Sequence, residues 1–230
     1  MLWSLDCALV EAAARLVADH ADTQKVMVSL AETNFIKALP FAPYLLVAWH
    51  AKPSSRSNVL AILVSCALAL VIVWCVTTSW QRPRPIAPTS ECLVSRGIFA
   101  SHFDGKPNYN RWGCFPSDHA AYMTALAMGL CTIHKRVGIA CFIIGVMLNG
   151  AFRISTGLHY PTDLVAGLVI GLVAHLCIFS CIGLPTRIWV TKVAAALERS
   201  FILRLGLAVV VVEMSVLFHD IRFLDSLIFK

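Results

Sequence analysis

The sequence predicts an all-α fold, a polytopic membrane bundle of about six transmembrane helices. Two observations carry that expectation. Of 230 residues, 58% are hydrophobic and only 14% charged, against about 25% charged in a typical soluble domain, so most of the surface faces lipid. The apolar residues also gather into runs near the roughly 20 residues that a span needs. Lys and Arg sit in short clusters between those runs, as they do around membrane spans. The net charge of +6 therefore belongs to membrane topology and not to nucleic-acid binding.

The elements follow in order. Residues 1–33 form an N-terminal segment without the charged start and compact apolar core of a cleavable leader. Asp6, Glu11, Arg15, Asp19, Asp22 and Lys25 among Ala, Leu and Val make it one or two amphipathic helices. These either lie in the membrane interface or pack on the bundle. Residues 34–184 are the core. Its spans are Asn34 to Ala51, short and carrying Pro40 and Pro43; Asn58 to Trp80; His119 to Ile133, rich in small residues; Val137 to Ile154; and Leu164 to Leu184. His134, Lys135 and Arg136 join the third and fourth in a tight hairpin. Residues 185–230 hold an amphipathic segment and a last span, Leu203 to Phe218, with Glu213 inside it.

This order puts Lys52, Arg56, Lys135, Arg136, Arg187, Lys192, Arg199 and Arg204 on one side, which the positive-inside rule makes cytoplasmic. The long loop from Gln81 to Asp118 and the turn around His159 lie on the other side. Nine cysteines are scattered without metal-ligand spacing. Cys66, Cys75, Cys131, Cys141, Cys177 and Cys181 lie in apolar runs and read as packing residues. Cys92 and Cys114 are the two cysteines of the long loop. An oxidising compartment permits a bond between them; the alternative is that Cys114 packs beside Phe115.

Three segments meet at the loop side: Arg82-Pro83-Arg84-Pro85, Pro116-Ser117-Asp118-His119, and Arg153 with His159 and Asp163. Taken singly, these residues read as snorkelling arginines, a helix N-cap at Ser117 or Asp118, and a solvated histidine. Together they answer one chemical need. Guanidinium donors match phosphate oxygens, Ser117 adds a neutral donor, and a helix N-terminus adds backbone amides. Of two histidines, one attacks phosphorus as neutral imidazole and the other protonates the leaving oxygen. Asp163, four residues after His159, can accept that ring's N–H on a helical turn. His119, His159 and Asp163 also suit zinc, but three neighbouring arginines favour an anion over a dication.

This pattern resembles the type 2 phosphatidic acid phosphatase superfamily, whose fold is shared with vanadium haloperoxidases. That family's motifs are a lysine, six residues, then Arg-Pro; Pro-Ser-Gly-His or Pro-Ser-Asp-His; and Ser-Arg, five residues, His, three residues, Asp. The second is complete here. The third matches at Arg153, His159 and Asp163, with Phe152 in place of serine. The first is partial: it matches at Arg84-Pro85 with Thr77 at the lysine position, or at Arg82-Pro83 with Cys75 there, and neither register supplies a lysine. The resemblance covers roughly Asn34 to Leu184.

It implies that His159 is the nucleophile, His119 the leaving-group acid and Asp163 the residue that orients His159. Arg84, Ser117 and Arg153 would bind phosphate, with Arg82 a helper. Without the lysine the site either loses one positive charge or recruits a substitute: Arg82 is the nearest in sequence, its alternative being to face lipid headgroups, and Lys106 or Arg111 would instead close over a second phosphate. No cofactor or metal is implied. The Pro-Ser-Asp-His form and the Arg-Pro-Arg-Pro run are most similar to the bacterial undecaprenyl pyrophosphate phosphatases. The implied partners are a lipid phosphate or pyrophosphate substrate and membrane lipids. The implied setting is the bacterial inner membrane, with the site on the extracytoplasmic side. Transfer of the phosphate to a second lipid, or lipid binding and transport without turnover, are the alternative activities for the same residues.

Overall fold

The computed structural model describes residues 2–33, 39–90, 92–103 and 113–181, with short pieces between 192 and 210. Among the described residues the regular structure is helical, with no strand. In chain order the helices are α1 (Leu2–Arg15), α2 (Ala21–Glu32), α3 (Ala42–Ala51), α4 (Pro53–Ser79), α5 (Leu93–Phe103), α6 (Asp118–Ile133), α7 (Lys135–Ser155) and α8 (Pro161–Cys181). Three of them are long and apolar enough to cross a membrane: Ser55–Ser79 within α4, Lys135–Ser155 and Pro161–Ser180 within α8. Their outward faces carry Val64, Val71, Trp74, Ile143, Val165, Val169 and Leu176. Exposed apolar surface on this scale needs lipid to cover it, and the chain is an integral membrane protein.

The predicted third span is the hub of the bundle. α6 packs against α4, α7 and α8, and ten of its 16 residues are buried. At about 1.5 Å per residue it rises roughly 24 Å, less than the roughly 30 Å hydrocarbon core. Its small residues let the neighbouring backbones come close. Gly167 and Gly171 of α8 face α6, and a Cβ at either position would collide with the Ser117 or Ala121 carbonyl. That is the small-residue packing by which membrane helices associate. Cys66 and Cys141 lie in this core as packing residues, whereas Cys75 and Cys177 are exposed.

Three expectations change. The first predicted span resolves, after residues 34–38, into a short 3-10 turn (Leu39–Phe41) and the ten-residue α3. A helix of that length cannot cross alone; Pro40 lies in the 3-10 turn and Pro43 in the first turn of α3, where proline is tolerated. The long outer loop is not all loop, since α5 lies within it. The N-terminal segment packs on the bundle: α1 contacts α5, α7 and α8, and α2 contacts α5 and α7. The last predicted span, Leu203 to Phe218, lies mostly outside the described residues, as do Lys106 and Arg111.

The disulfide differs as well. Cys92 bonds to Cys7 of α1, with Cα atoms 5.5 Å apart. Cys114 is a free, buried thiol whose sulfur contacts the Pro83 carbonyl at 3.4 Å. Burial pushes that thiol's pKa up, so it stays protonated. The packing of α1 against α5 brings Cys7 to Cys92, an approach that chain spacing does not reveal.

Candidate active site

The site forms where the loop after α4, the start of α6 and the turn from α7 to α8 meet. Backbone bonds join these segments: Cys114 N–H donates to the Arg82 carbonyl at 2.9 Å, Ser117 N–H to the Asp163 carbonyl at 3.0 Å, and Ile86 N–H to the Gly157 carbonyl at 3.2 Å. Gly157 sits at φ 70°, a left-handed conformation that glycine adopts without the usual steric cost. It turns the chain so that His159 points back into the bundle. Ser117 is the N-cap of α6, its hydroxyl accepting from Ala120 N–H at 3.4 Å. His119 stands in the first turn, its Nδ1 2.6 Å from Asp118 Oδ1.

His159 is 2% exposed. Its Nδ1 lies 3.0 Å from the Cys114 carbonyl and 3.4 Å from Asp163 Oδ2. A carbonyl only accepts, so Nδ1 carries the proton and Nε2 keeps its lone pair. Arg153 Nη2 donates to that Nε2 at 3.3 Å. Burial lowers the pKa of the ring, Arg153 and Arg84 push the same way, and Asp163 opposes them. The ring is thus held neutral, with its free nitrogen turned toward a guanidinium. The expected Asp163 contact is present, but the Cys114 carbonyl is the nearer acceptor. Asp163 is fully buried and also accepts from Tyr160 N–H at 2.8 Å.

The arginines divide by their partners. Arg153 donates to the Ala31 carbonyl in the last turn of α2 at 3.1 Å, so the N-terminal segment steadies it. Arg84 donates to the Leu158 carbonyl at 2.8 Å. Arg82, expected as a phosphate-binding helper, has carboxylate partners. Its Nη1 lies 2.7 Å from Asp163 Oδ1 and 2.8 Å from Thr162 Oγ1, and its Nη2 lies 2.8 Å from Asp6 Oδ2. Its guanidinium also sits 3.8 Å over the Tyr160 ring. Two buried carboxylates already meet its charge. Burial lowers its pKa, but Asp6 and Asp163 outweigh that and hold it above the ordinary value. Thr77, at the family's lysine position, donates its hydroxyl to the Phe115 carbonyl at 3.1 Å.

A narrow cleft of about 180 Å³ opens among these residues, lined by Ser117, His119, Asn149, Gly150, Arg153 and Leu164. The cleft gathers the Ser117 hydroxyl, the His119 ring and the Arg153 guanidinium, and His159 adjoins it through its contact with Arg153, a set of groups suited to a tetrahedral anion. Sequence reasoning missed Asp6, Thr162, the Cys114 carbonyl and Asn149. Only Asn149 had a signal: a polar residue inside an apolar span is costly there.

The sequence profile of the PAP2 superfamily matches residues 58–187. The chain is 29% identical over 141 residues to undecaprenyl-diphosphatase BcrC of Bacillus subtilis, covering 60% of this chain and 66% of that protein. It is 28% identical over 128 residues to bacitracin transport permease protein BcrC of Bacillus licheniformis, covering 49% of this chain and 63% of that one. A stretch of 58 residues is 43% identical to lipid A 4'-phosphatase of Bacteroides thetaiotaomicron, covering 25% and 26% of the two chains. The matches span just under two thirds of the Bacillus relatives. No solved structure shows a significant match.

Proposed function

This chain belongs to the PAP2 superfamily, and on that premise we propose that it hydrolyses a lipid-linked phosphate or pyrophosphate, with undecaprenyl pyrophosphate the best candidate. The observation that carries the reading is the state of His159. With Nδ1 donating to the Cys114 carbonyl, Nε2 offers its lone pair beside Arg153. In the first step Nε2 attacks phosphorus, and the bond from phosphorus to the leaving oxygen breaks. His119 gives that oxygen its proton. In the second step His119 takes a proton from water as the water oxygen attacks the phosphohistidine. The P–N bond breaks, inorganic phosphate leaves, and Nε2 regains its lone pair. Arg84, Arg153 and Ser117 hold the phosphoryl oxygens, and the guanidinium groups offset the charge that builds on them.

Positive charge from arginine fits this site better than a metal ion does. Asp163 is committed to Arg82 and Tyr160 N–H, and Nδ1 of His159 to a carbonyl. A dication between them would have to break those contacts. The setting we propose is the bacterial inner membrane, with the site on the extracytoplasmic side. The Lys and Arg clusters support that orientation. The Cys7–Cys92 bond ties α1 to the loop region that carries Arg82 and suits an oxidising compartment.

The test is phosphate release from undecaprenyl pyrophosphate, phosphatidylglycerol phosphate and phosphatidic acid by protein purified in detergent, with chelator present. The expected result is release from at least one of them that His159→Ala abolishes. Full activity in that variant would overturn the mechanism. Release from none of the three would overturn the function.

A further inference from the structure

Asn149 is a polar residue inside an otherwise apolar span. It is 0% exposed, and among the described residues neither its Nδ2 nor its Oδ1 has a hydrogen-bond partner. A buried amide without a partner is costly, and native structures seldom retain one without reason. The unpaired amide does not lie in packed hydrocarbon: it lines the cleft shared by Ser117, His119 and Arg153. It stands four residues before Arg153, so the two side chains leave the same face of α7. The helix widens into a π turn over Phe142–Leu148, immediately before Asn149. Such turns reset the register of the residues that follow and occur often at functional sites.

The cleft also lacks a donor that the family pattern supplies. Thr77 stands at the lysine position, and its hydroxyl is taken up by the Phe115 carbonyl. Arg82, the nearest substitute in sequence, is held by Asp6 and Asp163. We propose that Asn149 is a further phosphoryl-binding residue, whose amide N–H donates to a non-bridging oxygen of the group held between Ser117, His119 and Arg153. The donor is neutral, so it adds direction to the site without adding charge. The proposal rests on the phosphatase reading for its substrate, but its binding step can be tested apart from turnover.

The experiment measures binding of inorganic phosphate to the intact protein in detergent by calorimetry, alongside thermal stability. Asn149→Leu replaces the amide by an apolar group of similar size. The expected result is weaker phosphate binding, by roughly tenfold to a hundredfold, the usual range for a lost hydrogen bond to a charged group. The melting temperature should be equal or higher, because an unsatisfied polar group has been removed. Asn149→Ala should weaken binding to a similar degree and decides the matter if the leucine variant does not fold. Wild-type phosphate affinity in the folded variants would overturn the proposal. So would a drop in melting temperature with affinity unchanged, because that is the signature of a structural asparagine. If the wild type binds phosphate but hydrolyses no lipid phosphate, the phosphatase reading fails while the role of Asn149 is still measured.

Discussion

The two sides of His159 treat buried polar groups in opposite ways. On the α1 side, Arg82, Asp6, Thr162 and Asp163 satisfy one another, and the Cys7–Cys92 bond closes the same region. On the α7 side, Asn149 faces the cleft with neither amide atom partnered. On the first side the charges are paired within the protein; on the second a buried amide faces the cleft. The difference separates residues that build the site from residues that meet the substrate, although both sets contain conspicuous polar groups in an apolar chain. Arg82 stands between the two sets: its motif-like position suggests substrate contact, while its ion pairs with Asp6 and Asp163 suggest a structural cation.

The largest effect belongs to His159, the proposed nucleophile between the two sides. His159→Ala should lower kcat by at least about 10⁴-fold, the scale seen when a nucleophile is removed. A phosphoenzyme trapped on the wild type by rapid acid quench should be absent from the variant. The next effect probes the closed side. Arg82→Ala leaves Asp6 and Asp163 buried without their cation, which costs about 3–5 kcal/mol when a buried pair is broken. Stability should therefore fall, with activity lost alongside it. Adding Asp6→Asn should restore part of the stability, because one uncompensated charge has gone. If Arg82→Ala kept its melting temperature and lost only phosphate affinity, Arg82 would belong with the substrate-facing residues after all.

A smaller effect tests the covalent part of the same side. Cys7→Ser should cost about 2–4 kcal/mol, the usual range for a native disulfide, and reductant should reproduce the loss in the wild type. Cys114→Ser should leave the response to reductant unchanged. A Cys114→Ser variant that lost the reductant effect would restore the pairing of Cys92 with Cys114.

These assignments show which parts of the molecule were legible in the sequence. Ser117, His119, Arg153, His159 and Asp163 stood out in the sequence as polar residues at set spacings beside apolar runs, and the fold brings the segments that carry them together. α4, α7 and α8 were readable because lipid demands long apolar runs. The partners of Arg82 and Cys92 were not, since both come from α1 and depend on how an amphipathic helix docks. Spacing cannot say which acidic residue of that helix turns inward; Asp6 does and Glu11 does not. The Cys114 carbonyl was invisible for a simpler reason: a backbone acceptor has no residue type to recognise. Asn149 was visible as a polar residue in a span, but its meaning depends on an unpartnered amide and a π turn, which are properties of coordinates.

The smallest effect sets the two sides against each other through one ring. Burial lowers the pKa of His159, Arg153 and Arg84 on the phosphate-binding side lower it further, and Asp163 on the α1 side raises it. The ordinary imidazole value is about 6.5, so the folded ring stays neutral at pH values where a free one is protonated. The acid limb of kcat/KM should therefore lie below about 6.5. The linked stability effect has the matching sign: as pH falls through about 6.5 the unfolded chain takes up the proton first. His159 thus destabilises the fold on the acid side and has no effect well above that pH. Two variants shift the limb in opposite directions. Arg84→Gln removes a neighbouring positive charge and should move it up, whereas Asp163→Asn removes the opposing negative charge and should move it down, each by about one unit or less. The Asp163→Asn profile is read on protein that remains folded, because that change also frees one arm of Arg82. A wild-type limb above 6.5, or two variants that shift it in the same direction, would mean that the ring is not poised between these two sides.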